Sequence, residues 1–365
     1  EFAALEKIEW DKFTDNFMMI YAASTMDWFD DSHWEAVVHN TKLVAKAAAL
    51  ARCTGLCFDA EPYGNNPWMY SEQARVADKT FAEYETMARR RGAQFIDAIE
   101  GELPDPVIHT FWLTTIGGLQ RAALAATPEA QDEALAQQSY GLYPAFINGM
   151  LDAIDEGTIL NDGNESSYYY TTSEQYYRAF QYFKQGSLGL IDPAHHGAWR
   201  AQTRMAQALY VDHLFAVRTR ENESSFMTEE ERAKWFEHNV YWALKTSDRH
   251  VWLYSEKMNW WTNKDLPPGL EDAVISARAK IAAGEPLGFD LEPIIEAARQ
   301  RRTEAQQARL VKRSATVARL PEGQTPTIDG KLDDAVWQQG TALERIQPTV
   351  NTSDAPTAAT TGFIA

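Results

Sequence analysis

Thr54-Gly-Leu-Cys-Phe-Asp-Ala-Glu-Pro-Tyr63 carries two carboxylates, Asp59 and Glu61, at the end of a short apolar run. Residues 55 to 58 are apolar or small, as in a parallel strand covered on both faces. Pro62 cannot continue a hydrogen-bonded ladder, so the strand stops where the acids appear. Alternation puts both side chains on one side of the strand, about 7 Å apart at ~3.4 Å rise per residue. Two later stretches repeat the pattern. Gly157-Thr-Ile-Leu-Asn-Asp-Gly-Asn-Glu165 ends in Asp162 and Glu165, and His250-Val-Trp-Leu-Tyr-Ser-Glu256 ends in Glu256. Two carboxyl groups, one kept protonated and one ionised, can act as general acid and as base or nucleophile. The plainer alternatives are an ion pair or helix N-cap for Asp59 and Glu61, a loop or capping residue for Glu165, and a salt bridge to Lys257 or an arginine for Glu256.

Amides and aromatic rings surround each acid. Tyr63, Asn65, Asn66 and Trp68 follow the first, Asn161, Asn164 and Tyr168 to Tyr170 frame the second, and Lys257, Asn259, Trp260 and Trp261 follow the third. Trp112 lies in the aromatic run Pro106 to Thr114. Tyr63, Asn65, Trp68, Trp112, Asp162, Asn164, Tyr168, Asn259 and Trp260 are therefore candidate ligand contacts, since planar rings and amides suit the faces and hydroxyls of sugars. Trp260 and Trp261 make a stacking platform, or one of them packs beneath the rim.

Elements that position such groups alternate along the chain. Phe17 to Ala23 has strand length, Ser32-His-Trp-Glu35 reads as a capping box opening a helix to about Arg52, and the strand 55–61 follows. Helical sequence is expected over 71–101 and 127–155, with a strand at 106–114 between them and another at 157–165. Ala208 to His213 reads as strand or helix. Thr228-Glu-Glu-Glu231 caps a helix to about Lys245, and 250–256 is the last strand. Strands and helices in turn imply parallel βα units. Six strands, with no Gly-rich phosphate loop, predict a (β/α)8 TIM barrel truncated at its N-terminus, over residues 1–300, in which acids at carboxyl ends of strands sit in the mouth. An open doubly wound sheet is the alternative. Residues 301–314 read as a helical linker and 315–365 as the start of a C-terminal β-sandwich.

Composition narrows the function classes. The net charge of −18, from 34 basic and 52 acidic residues, comes with no basic block, which argues against nucleic acid. No run approaches the ~18 apolar residues of a membrane span. Cys53 and Cys57 are too few for a disulfide framework, and no Cys/His spacing suggests a metal site, so neither metal nor cofactor is expected. His195 and His196 read as exposed or capping residues.

Thr327-Ile-Asp-Gly-Lys-Leu-Asp-Asp-Ala-Val-Trp337 resembles the opening of carbohydrate-binding module family 9 domains, with Asp334 where glutamate is usual. Trp337 is expected in the sandwich core. Such modules accompany secreted enzymes acting on polysaccharides, so the resemblance implies a secreted or periplasmic, bacterial-type glycoside hydrolase, its signal peptide outside this sequence. Gly55-Leu-Cys-Phe-Asp-Ala-Glu61 resembles the strand-four motif of glycoside hydrolase family 18, with Cys57 where the first aspartate belongs. Ala60-Glu61-Pro62 is also similar to the Asn-Glu-Pro acid/base of clan A barrels, which would pair it with Glu256 on strand seven. Both resemblances make Glu61 the proton donor, with Asp59 raising its pKa. The second carboxylate is Glu256, then Glu165, then Asp162. Retention or inversion stays open. The rival reading is a non-catalytic carbohydrate-binding protein that keeps the barrel as scaffold, and a polysaccharide lyase ranks last.

Overall fold

The computed structural model describes residues 2–22, 27–218 and 220–309, and in the C-terminal segment 322–325, 327, 329, 331, 333–335, 341–343 and 362–364. The chain divides into two units, Glu1–Glu296 and Ala297–Ala365.

The first unit is an α/β fold. Its strands are β1 (Phe17–Tyr21), β2 (Gly55–Asp59), β3 (Val107–Thr110), β4 (Ile159–Asp162), β5 (Thr203–Met205), β6 (Gln207–Tyr210) and β7 (Val251–Tyr254). β1 to β5 form one parallel sheet in chain order, and β6 pairs with β7 in parallel. Only Ala206 separates β5 from β6, and its N–H donates to Asp162 O at 2.7 Å. The register aligns Tyr21 with Asp59, Phe58 with Thr110 and Thr110 with Asp162. The carboxyl ends thus share one rim. The amino ends of the two outermost strands meet, because Arg249 Nη2 lies 2.9 Å from Asp15 and the His250 ring lies 5.6 Å from Phe17. The two sheets thus face each other across this contact, and His109 of β3 lies in ring contact with Trp252 of β7 at 5.9 Å.

The helices are α1 (Asp31–Leu50), α2 (Phe81–Glu100), α3 (Leu119–Ala123), α4 (Pro128–Ala136), α5 (Tyr143–Ala153), α6 (Ser173–Lys184), α7 (His196–Gln202), α8 (Val211–Leu214), α9 (Glu229–Lys245), α10 (Leu270–Ala283) and α11 (Glu292–Arg309). Leu56, Phe58 and Ala60 alternate toward them and are buried. Phe58 meets Phe95 of α2 at 5.0 Å and Phe146 of α5 at 6.4 Å. α2 and α5 cross closely where Gly92 and Gly149 leave no room for a methyl, since a Cβ on Gly149 would lie 1.8 Å from Arg89 O.

Several local expectations need correction. α1 is capped by Asp30, whose carboxylate accepts from Ser32 N and His33 N, so its cap lies two residues before Ser32. The expected helix over 71–101 is regular only from Phe81, where Thr80 and Glu83 form a capping box. The strand expected over 106–114 ends at Thr110. Ala208 to His213 is both alternatives in succession, β6 to Tyr210 and then α8. α9 begins at the Thr228 box as expected. In the second unit β8 (Thr341–Leu343) pairs antiparallel with β9 (Gly362–Ile364). The strand expected at 315–320 and Trp337 lie outside the described residues.

Candidate functional site

Asp59 closes β2 and is 1% exposed. Its Oδ1 accepts the Glu61 N–H at 2.8 Å, the side-chain-to-backbone turn that aspartate favours. The Tyr63 hydroxyl lies 2.8 Å from Asp59 Oδ2 and 3.1 Å from Glu61 Oε2. Glu61 is thus a turn residue beyond the strand, not its next alternating position. Tyr63, rather than strand geometry, brings the two carboxylates together. Burial raises the Asp59 pKa and the Glu61 charge adds to this, while the hydrogen bonds from Glu61 N–H and Tyr63 oppose it.

Glu165 reaches the same cluster from β4. Gly163 passes so near β3 that a Cβ would lie 2.3 Å from Thr110 O. Asn164 then adopts the left-handed conformation, φ 43° and ψ 59°, which asparagine tolerates better than most residues. Its N–H donates to Asp162 Oδ1 at 2.8 Å and its side-chain amide to Gln207 at 2.7 Å, while Glu165 N–H donates to Phe111 O at 3.0 Å. These bonds deliver a half-buried Glu165 carboxyl whose pKa is pushed up to about 7, first by burial and then by the charges of Glu61 and Asp59.

Asp162 lies beneath this arrangement. It is fully buried, and its two oxygens accept N–H groups from Leu113 (3.0 Å), Thr114 (2.9 Å), Thr115 (3.2 Å) and Asn164 (2.8 Å), and the Thr115 hydroxyl (2.6 Å). Burial raises its pKa against the pull of those donors. Asp162 and Asn164, expected to touch a ligand, are instead committed to holding the 113–115 loop and the backbone before Glu165. Trp68 is likewise core: it is 2% exposed, its indole donates to Ala60 O at 2.7 Å, and Tyr143 and Phe146 pack on it at 4.6 and 5.3 Å. Trp112 and Tyr168 are 3% and 4% exposed, so neither offers a free face for stacking. Tyr63 and Asn65 are exposed.

Glu256 belongs to a neighbouring group. It accepts hydroxyls of Tyr210 (3.2 Å) and Tyr254 (3.5 Å), and its N–H donates to the buried Asp212 at 2.8 Å. The Tyr168 ring stacks on Tyr254 at 6.1 Å, and the Glu165 charge acts on both tyrosines, so they stand between the two acid groups. Asn259 Oδ1 caps the N–H groups of Trp261 and Thr262, and Trp260 is exposed. Sequence reasoning missed Tyr140, a half-buried tyrosine on which the charges of Glu61, Glu165 and Asp59 all act. It also missed Tyr210, Asp212 and Tyr254. Asp212 does follow the apolar run from Ala208, but only the fold relates it and the tyrosines to Glu256.

Other candidates are accounted for. His195 bonds Asp152 at 2.7 Å and His196 lies 3.0 Å from Ile191 O, both tying down the segment before α7. Burial pushes the Cys57 thiol up to about 12, which leaves no thiolate nucleophile at neutral pH. Among the described residues no cluster of three or more His, Cys, Asp or Glu could hold a metal ion, and no helix is long and apolar enough to cross a membrane. No protein-family model, curated protein or solved structure matches the chain.

Proposed function

We propose that the first unit hydrolyses glycosidic bonds by carboxylate acid/base catalysis, with Glu165 as proton donor and Glu61 as the ionised partner beside Asp59. The observation that carries this is the convergence of Asp59, Glu61 and Glu165 on one rim, with Glu165 half-buried among like charges. A carboxyl that stays protonated near neutral pH next to one that ionises is the pairing that glycoside cleavage requires. This moves the donor role from Glu61 to Glu165, a carboxyl that burial and the charges of Glu61 and Asp59 push up to about 7. Glu256, with Tyr210 and Tyr254, is a sugar-binding group beside the acid cluster. The parallel strands of the two sheets are read as part of a (β/α)8 barrel, and the family 9-like segment as the start of a carbohydrate-binding module in a protein that works outside the cytoplasm.

Reducing-sugar release from a panel of soluble and insoluble glycans tests the reading. Glu165→Gln and Glu61→Gln should each lower release by roughly 10²-fold or more. Release that persists in Glu165→Gln removes it as the acid. Retention on a glycan without any release favours the non-catalytic binding protein.

A further inference from the structure

The loop over residues 255–265 is held rigidly from within. Ser255 Oγ accepts the N–H groups of Lys257 (3.2 Å) and Met258 (2.9 Å), and Asn259 Oδ1 accepts those of Trp261 (3.0 Å) and Thr262 (3.1 Å). Asn259 N–H donates to Lys264 O at 3.1 Å, and the Met258 side chain is buried. On this braced turn Trp261 is 87% exposed and Trp260 44% exposed. The Phe13 ring, itself 62% exposed, lies 6.5 Å from that of Trp261. Single exposed aromatics are ordinary, but adjacent ones on a braced turn form a patch left open among the described residues.

The Phe13 end of the patch lies away from the Asp59 group, whereas Trp260 and Trp261 follow Glu256 on the same loop. Phe13 precedes the start of β1, whereas Asp59 is in register with Tyr21 at its far end. That is at least the length of β1, roughly 13 Å at ~3.3 Å per residue. Its chemistry also selects among occupants. Three rings that each cover about 150–250 Å² fall short of the roughly 800 Å² per partner that a stable protein interface needs. The charges beside it in sequence, Asp11, Lys12, Asp15, Glu256, Lys257, Lys264 and Asp265, include more acids than bases, so it lacks the basic character that draws a protein to anionic bilayers.

We propose that Trp261, with Trp260 and Phe13, is a docking platform for a neutral polysaccharide chain, extending away from the Asp59, Glu61 and Glu165 cluster toward the amino end of β1. The identity of the ligand as a glycan rests on the function proposed above, but the platform does not depend on catalysis. A flat indole covers the C–H face of a sugar ring while its N–H serves a hydroxyl, and a braced loop loses little entropy on binding.

Co-sedimentation of the full chain with microcrystalline cellulose, chitin and insoluble xylan tests it, comparing wild type, Trp261→Ala and Glu165→Gln. Wild type and Glu165→Gln should be retained on at least one of the three, and Trp261→Ala should partition at least tenfold more weakly at an unchanged melting temperature. Equal retention of Trp261→Ala, or no retention of wild type on any of the three, overturns the platform. So does a wild-type dimer that Trp261→Ala converts to monomer, which would make the patch a self-association surface. Weakened retention of Trp261→Ala without sugar release by wild type leaves the platform standing and removes the catalytic reading.

Discussion

Replacing Asp162 separates a structural carboxylate from a ligand contact. Its Oδ2 accepts three consecutive N–H groups, from Leu113, Thr114 and Thr115, and its Oδ1 accepts the Thr115 hydroxyl and Asn164 N–H. Asp162→Ala strands all five donors in a site with no exposure. A stranded buried donor costs about 1–3 kcal/mol, and partial relaxation keeps the sum below the simple total, so a loss of about 4–6 kcal/mol is expected. Asp162→Asn behaves differently. Its carbonyl oxygen can serve the three loop N–H groups, and its NH₂ can donate to a rotated Thr115 hydroxyl, which leaves only Asn164 N–H facing another donor. The expected loss is about 1–3 kcal/mol, placed next to Glu165. Urea unfolding followed by tryptophan fluorescence measures both, because eleven of the twelve tryptophans precede residue 297. A loss below about 1 kcal/mol for Asp162→Ala, or equal losses for the two variants, would refute the reasoning.

Glu165 predicts a pH dependence of definite sign. Its folded pKa, about 7, lies above its ordinary 4.5, so ionising it disfavours the fold. Its contribution to stability is full below its ordinary 4.5, falls as pH rises from there to about 7 and is level above, whereas the proposed donor form is lost around pH 7 itself. Glu61→Gln removes one of the neighbouring charges but not the burial, which is the larger cause. The residual activity of that variant should therefore lose its alkaline limb at lower pH, still above the ordinary carboxylate range, and an unmoved limb in a pH–rate profile counts against the coupling. Trp68→Ala should cost about 3–5 kcal/mol in the same unfolding assay, because the residue is core. Weakened glycan affinity at unchanged stability would restore the sequence expectation for it.

The parallel α/β character was legible because alternating apolar runs and capping boxes are local signals. Thr228 with Glu231 and the run at Gly55 are examples. The site was legible only in outline. Asp59, Glu61 and Glu165 stood out as acids past apolar runs, but Asp162 has the same signature and the opposite environment. Whether such a carboxylate faces the mouth or accepts backbone N–H groups depends on the 113–115 loop, about fifty residues away in sequence. Trp68 misled for a similar reason: an aromatic after an acid looks like a ligand platform until α5 covers it. Tyr140 could not be read at all, since its relation to the acids is tertiary.

Tyr63 gives the acid cluster a built-in asymmetry. A phenol has one hydrogen, and here two carboxylates wait for it at 2.8 and 3.1 Å. While both are ionised, one of them always goes without, and its uncovered lone pair is where a proton can add. When one carboxyl takes up a proton it can donate to the phenol oxygen, and the phenol hydrogen then turns to the other. The direction of the whole chain of bonds thus records which of the two acids holds the proton.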